Sequence, residues 1–186
     1  MNKLIALLLS GLVWGNSACA ADTLEYDFTG RVTETTCKVE LYNMNGSSAT
    51  SIFGEFKRDA MPAIGDIVWT YAGGKYGNAF YFRVTCPSGN AATEVTGKIS
   101  TSQEVDAATM ALKNMNDSTN QFGIVLKDTD QNKMIDFSTV ENTQSFTQQG
   151  DTRVADFNFD VGIVRYGESV DYGSVASSIV FSATFQ

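Results

Sequence analysis

The chain has 186 residues, enough for one domain that buries a substantial core unaided. Its formal net charge of −8 argues against nucleic acid and anionic membrane surfaces as partners, since either calls for clustered Lys and Arg. Two prolines, sixteen glycines and an abundance of Thr, Val, Phe and Tyr point to strands joined by turns rather than to helices.

Residues 1–20 read as a secretory signal. Lys3 precedes the apolar run LIALLLSGLVWG, residues 4–15, and Ala18-Cys19-Ala20 supplies the small residues of a cleavage site. Cleavage after Ala20 leaves a mature chain from Ala21, and the apolar run is too short to span a bilayer. Lipid attachment at Cys19 is disfavoured, because such sites want an apolar residue three places earlier and Asn16 stands there. Loss of Cys19 leaves Cys37 and Cys86 as a pair in an oxidising compartment, so a disulfide is expected. Two cysteines in a chain without histidine do not complete a zinc site of the usual kind.

The mature chain opens on an alternating segment, residues 21–39. Leu24, Tyr26, Phe28, Gly30 and Val32 fall on one side, and Glu25, Asp27, Thr29, Arg31 and Thr33 on the other. A segment so one-sided has to lay its apolar face into something. Strand signals follow at residues 50–56, 65–71, 79–86, 93–101, 121–128, 134–137 and 144–147, with Gly, Asn and Asp between them. Residues 104–115, EVDAATMALKNM, fit a short helix or a loop equally well. RVADFNFDVGIVRY, residues 153–166, puts Phe157, Phe159, Val161 and Ile163 on one face, a half-buried strand. SSIVFSATFQ, residues 177–186, alternates to its last residue. About ten short strands with turns between them read as an antiparallel sandwich, with no repeat, linker or low-complexity segment.

Several stretches invite a sharper reading. Asp128, Asp130 and Asn132 have the spacing that opens a calcium loop, but Lys133 and Thr139 stand where that loop needs Gly and a carboxylate, so a polar hairpin turn is favoured. The aromatics of residues 69–82 suit a sugar-stacking platform, yet such clusters are more often core residues on adjacent strands. Asn116-Asp117-Ser118 matches a glycosylation acceptor, a motif common by chance. Without histidine there is no Ser-His-Asp or Cys-His arrangement, and no carboxylate pair sits in a context that would raise its pKa recognisably; neither enzymatic activity nor a cofactor is expected.

Both ends of the mature chain are thus amphipathic strands, and on the residues alone they pair within one sandwich. Together with the cysteines they resemble a pilin of the chaperone–usher family, the subunits of type 1-like fimbriae. The family's final-strand pattern is a Gly fourteen residues from the end, alternating apolar residues and a penultimate aromatic. Here it is matched by Gly173, then Val175, Ile179, Phe181 and Ala183, then Phe185 in place of the usual Tyr, with Ser177 interrupting the apolar face. FYFRVTC, ending in Cys86, resembles the strand with the partner cysteine, and FDVGIVRYGESVDYG the approach to the final strand; between residues 40 and 75 only SIFGEF is similar.

What the resemblance implies is an all-β, incomplete immunoglobulin-like sandwich in residues 37–186, preceded by a donor-strand extension in residues 21–36. The groove along Gly173, Val175, Ser177, Ile179, Phe181, Ala183, Phe185 and Gln186 would receive a strand from another chain, first from a periplasmic chaperone whose basic residues hold the carboxylate of Gln186. At an outer-membrane usher the N-terminal segment of the next pilin replaces it, here with Leu24, Tyr26, Phe28, Gly30, Val32 and Glu34 as the donor positions. The product would be a subunit of an adhesive fimbria at the cell surface. Two other readings stay open: a single-domain adhesin presenting Trp69, Tyr71 and Tyr76 to a glycan, and an unrelated secreted sandwich closed on itself.

Overall fold

Alternation in the sequence becomes two facing sheets. The computed structural model describes residues 25–32, 37–43, 46–47, 50–52, 63–69, 80–116, 121–168 and 175–186, and among these every regular element is a strand. The smaller sheet contains β1 (Glu25–Val32), β4 (Thr50–Ile52), β7 (Glu94–Ser100), β12 (Glu141–Ser145) and β15 (Ala176–Phe185), in the order β12-β7-β15-β1-β4. The larger has β2 (Lys38–Asn43), β3 (Gly46–Ser47), β6 (Phe80–Pro87), β8 (Val105–Asp106), β9 (Ala111–Lys113), β10 (Phe122–Asp128) and β14 (Thr152–Arg165), in the order β3-β2-β6-β14-β10-β9-β8. Onto it are added β5 (Ile67–Trp69) and β13 (Thr147–Gln149), which pair with β14, and β11 (Lys133–Met134), which pairs with β10.

The inward positions are those that period two dictates. Phe80, Phe82, Val84 and Cys86 of β6, Phe157, Phe159, Val161 and Ile163 of β14, Val95 and Ile99 of β7, and Ile179, Phe181 and Ala183 of β15 form one buried cluster. Phe181 ties the sheets together: its ring stacks on Phe82 at 4.3 Å and lies 5.2 Å from that of Phe157. A buried ring of this kind contributes about 1.5–3 kcal/mol by burial and about 0.5–1.5 more from each favourable ring pair.

Cys37 and Cys86 are joined, one rung beyond the Lys38–Thr85 pair of β2 and β6. The bridge closes a loop with a sequence separation of 49, which in the chain-entropy account is worth about 4 kcal/mol. Strand β10 is buried on both faces because a second apolar cluster covers the outside of its sheet. Ala111, Val125 and Val164 are buried there under Ile67, Trp69, Met134 and Tyr166.

Three sequence expectations change. Residues 104–115 are neither helix nor open loop but the hairpin β8–β9: Asp106 accepts bonds from Thr109 N and Oγ1 at 2.9 and 2.7 Å, and Met110 adopts φ 58°. The edge of β10 then captures the second arm through Gly123–Lys113 and Ile124–Leu112, so tertiary pairing overrides the helical propensity of Ala, Met and Leu. The strand expected at residues 134–137 is cut to Met134, since Phe137 sits at φ 60°. That expected at residues 144–147 begins earlier, at Glu141, and is divided between β12 and β13.

Candidate functional site

The feature that sets this sandwich apart is the lodging of β15 between a regular neighbour and the leading strand of the chain. On one flank β15 pairs antiparallel with β7 from Val180–Ser100 to Phe185–Val95. On the other, β1 runs parallel to it over eight residue pairs, from Glu25–Ala176 to Val32–Ala183. Among the described strands every other pair is antiparallel. Among the described strands the far edge of β1 meets only β4, over three residue pairs. The edge that the resemblance assigns to a strand from another chain is therefore filled, within a single chain, by the chain's own leading strand.

Register decides which positions meet. Tyr26, Phe28, Gly30 and Val32 stand opposite Ser177, Ile179, Phe181 and Ala183. These four positions of β15 are the inward ones, each at most 2 % exposed. Gly30 thus falls beside the largest side chain of the row, and the smallest inward residue of β15, Ala183, has Gly97 of β7 on its other side. Val175 is buried before the strand begins, Phe185 is half-buried and Gln186 exposed. Leu24, Glu34 and Gly173 lie outside the described residues.

The two ends of β15 are secured differently. At its close, Gln186 N donates to Glu94 O at 3.0 Å, and the main-chain oxygen of Gln186 accepts from Thr93 N at 2.7 Å and Glu94 N at 3.2 Å. At its start, β7 has already ended, and side chains take over the ladder. Asn114 Oδ1 accepts from Ala176 N at 3.0 Å, Gln103 Oε1 accepts from Ser178 N at 3.0 Å, and Thr101 Oγ1 donates to Ser178 O at 2.9 Å. Met115 N completes the set by donating to Ala176 O at 3.0 Å. The buried Ser177 hydroxyl accepts from Gln103 Nε2 at 3.5 Å, which answers the polar interruption of this apolar face. Sequence reasoning missed Thr101, Gln103 and Asn114; the one available signal was a run of polar residues where a strand ends.

The rival sites are occupied by structural work. Trp69 packs in the second apolar cluster, 6.0 Å from the ammonium of Lys127, while Tyr71 and Tyr76 lie outside the described residues. Phe80 and Phe82 are core, and Tyr81 stacks on Tyr42 at 5.1 Å beside Arg83, which Asp156 holds at 2.7 and 2.6 Å. KDTDQNK is the β10–β11 turn, with Asn132 at φ 54°. In it Asp128 is buried, accepting from Gln131 N at 2.9 Å and Asn142 Nδ2 at 2.8 Å, and burial pushes its carboxyl above the ordinary value despite those bonds. Asp130 accepts from Asn158 N and Nδ2 at 3.1 and 2.9 Å. Of the glycosylation motif, only Asn116 lies among the described residues.

Comparison with known proteins adds little detail. No family model matches the chain, and no curated protein sequence does. Among solved structures it is similar to the CupB6 tip adhesin from Pseudomonas aeruginosa, at 13 % identity and a TM-score of 0.42, over 87 % of this chain and 41 % of that one. The chain thus spans less than half the length of that adhesin.

Proposed function

We propose that this chain is a structural subunit of a surface fimbria, built by donor-strand exchange through a periplasmic chaperone and an outer-membrane usher. The observation that carries the reading is the parallel seam between β1 and β15. A leading strand, joined to the rest of its sheet by three residue pairs on its other edge, covers the main-chain groups and inward positions of β15. The same surface suits a strand from another chain, since strand addition draws its affinity from main-chain bonds and its specificity from alternate side chains. On this reading β1 caps its own subunit until it is donated to the next, and a neighbour's Leu24, Tyr26, Phe28, Gly30, Val32 and Glu34 take its place. Export to the cell surface and a non-enzymatic, adhesive role follow from the same reading.

The test uses the mature chain carrying Phe28→Asp, which weakens its own β1, and a labelled peptide DTLEYDFTGRVTE spanning residues 22–34. A peptide that binds the folded state raises the melting temperature by mass action, by about 2.7 kcal/mol of stability at a hundredfold excess over Kd. The expected result is a saturable rise that the peptide bearing Phe28→Asp does not give. A chain that ignores both peptides is a closed sandwich, and the proposal is then wrong.

A further inference from the structure

Among the described residues no strand lies on the β7 flank of the opening half of β15, yet its main chain is bonded as though one were there. Residues of a strand that point their N–H and C=O to one side alternate, so on this flank the groups to satisfy are those of Ala176 and Ser178. All four have partners: Asn114 Oδ1 and Met115 N for Ala176, and Gln103 Oε1 and Thr101 Oγ1 for Ser178. These partners come from the two ends of residues 101–115, which the β8–β9 hairpin folds together. They are themselves fixed. Gln103 N donates to Thr101 Oγ1 at 3.0 Å, Gln103 Nε2 donates to Lys113 O, and Lys113 N donates to Glu104 O at 3.0 Å. Asn114 is 5 % exposed, and its Oδ1 also accepts from Asn116 N at 3.1 Å.

We infer that Thr101, Gln103 and Asn114 are positioning residues that form a side-chain clamp on Ala176–Ser178, holding the start of β15 extended so that its opposite edge is ready to receive a strand. The inference rests on the strand-donation reading and deepens it. When β1 leaves, Ser177, Ile179, Phe181 and Ala183 lose their main-chain partners on that side. The closing half of β15 is still laddered to β7, but the opening half retains only the clamp and the single main-chain bond from Met115 N. Without the clamp the opening half has to be ordered at the moment of binding, and that ordering subtracts from affinity.

The clamp is tested in the full mature chain with Gln103→Met, which keeps the length of the side chain and removes its polar atoms. Amide exchange at Ser178 is expected to accelerate at least tenfold, while Ser182, paired with Lys98 of β7, stays at its original rate. Thr101→Val gives a second removal that spares Gln103. In the Phe28→Asp background, Gln103→Met is expected to raise the Kd of the residue 22–34 peptide about tenfold. A uniform rise in exchange at Ser178 and Ser182, or none at either, overturns the clamp. Equal peptide affinity with and without Gln103→Met overturns its role in strand capture and leaves strand donation standing. No binding by the Phe28→Asp chain with Gln103 intact overturns strand donation, and the role in capture with it.

Discussion

Adding one methyl group at Gly97 should destabilise the sandwich, although Gly-to-Ala changes within strands ordinarily help. A Cβ built at Gly97 would stand 2.7 Å from Phe157 Cε1, 2.8 Å from Phe181 Cε2 and 2.9 Å from Phe157 Cδ1. Neither ring has room to retreat: Phe157 is 0 % and Phe181 1 % exposed, and Phe181 is already stacked on Phe82 at 4.3 Å. Overpacking of this kind costs about 1–3 kcal/mol. Reduced freedom of the unfolded chain returns about 0.4–1 kcal/mol. The clash wins, and Gly97→Ala should lose about 1–2 kcal/mol, a fall in melting temperature of about 2–8 °C for a chain of this size. Calorimetry on residues 21–186 reads it. Gly97→Ala combined with Phe157→Leu should recover part of the loss, giving a favourable coupling of at least about 0.5 kcal/mol, as contacting residues do. A single variant as stable as the parent, or a double variant whose losses simply add, would refute the packing argument.

Replacing both Cys37 and Cys86 by Ser should lower stability by about 4 kcal/mol, or about 8–16 °C in melting temperature, and a drop of under 2 °C would show that the loop closed by the bridge is already ordered in the unfolded chain. Asp128 gives a prediction with a sign. Its folded pKa is raised by burial, with Asp130 adding to the shift, so its contribution to stability is complete below the unfolded value of about 3.9 and is lost as pH rises through the elevated folded value. Stability of the parent relative to Asp128→Asn should therefore fall as pH rises above about 4, measured by urea unfolding, and a difference that does not change from there to neutral pH would contradict the burial account.

Much of the fold was legible because burial on one face writes itself into the sequence. Phe157, Phe159, Val161 and Ile163 alternate with Asp156, Asn158 and Asp160, and all four apolar residues are core. The Cys37–Cys86 disulfide is the pairing that the cysteine count led one to expect. What escaped was information that lies in partners rather than in period. Strand β10 is apolar on both faces because Ile67 and Trp69 come from far upstream to cover Val125. The β8–β9 hairpin is made by a strand edge that helical propensity cannot see. Asp128 reads as a surface turn residue, yet Asn142 of β12, fourteen residues on, closes over it. The pairing of the two alternating ends was foreseeable, but its direction was not: alternation fixes which residues face inward and is indifferent to which way the strand runs.

That indifference matters for the proposed strand donation. In the parallel seam Phe28 stands beside Ile179 and Val32 beside Ala183, with Gly30 beside Phe181. Reversing the strand about Gly30 keeps every inward position inward, because the period is two. It moves Phe28 to the position of Ala183 and Val32 to that of Ile179. Gly30 stays opposite Phe181 in either direction. The chain's own β1 has the advantage of its tether, an effective concentration of about millimolar. A neighbour at micromolar concentration must overcome about 4 kcal/mol to displace it. A difference of that size is what burying one or two further apolar side chains supplies, at about 1.5–3 kcal/mol each. In the proposed fibre, then, the same alternate positions of the donated strand face β15 whichever way that strand runs.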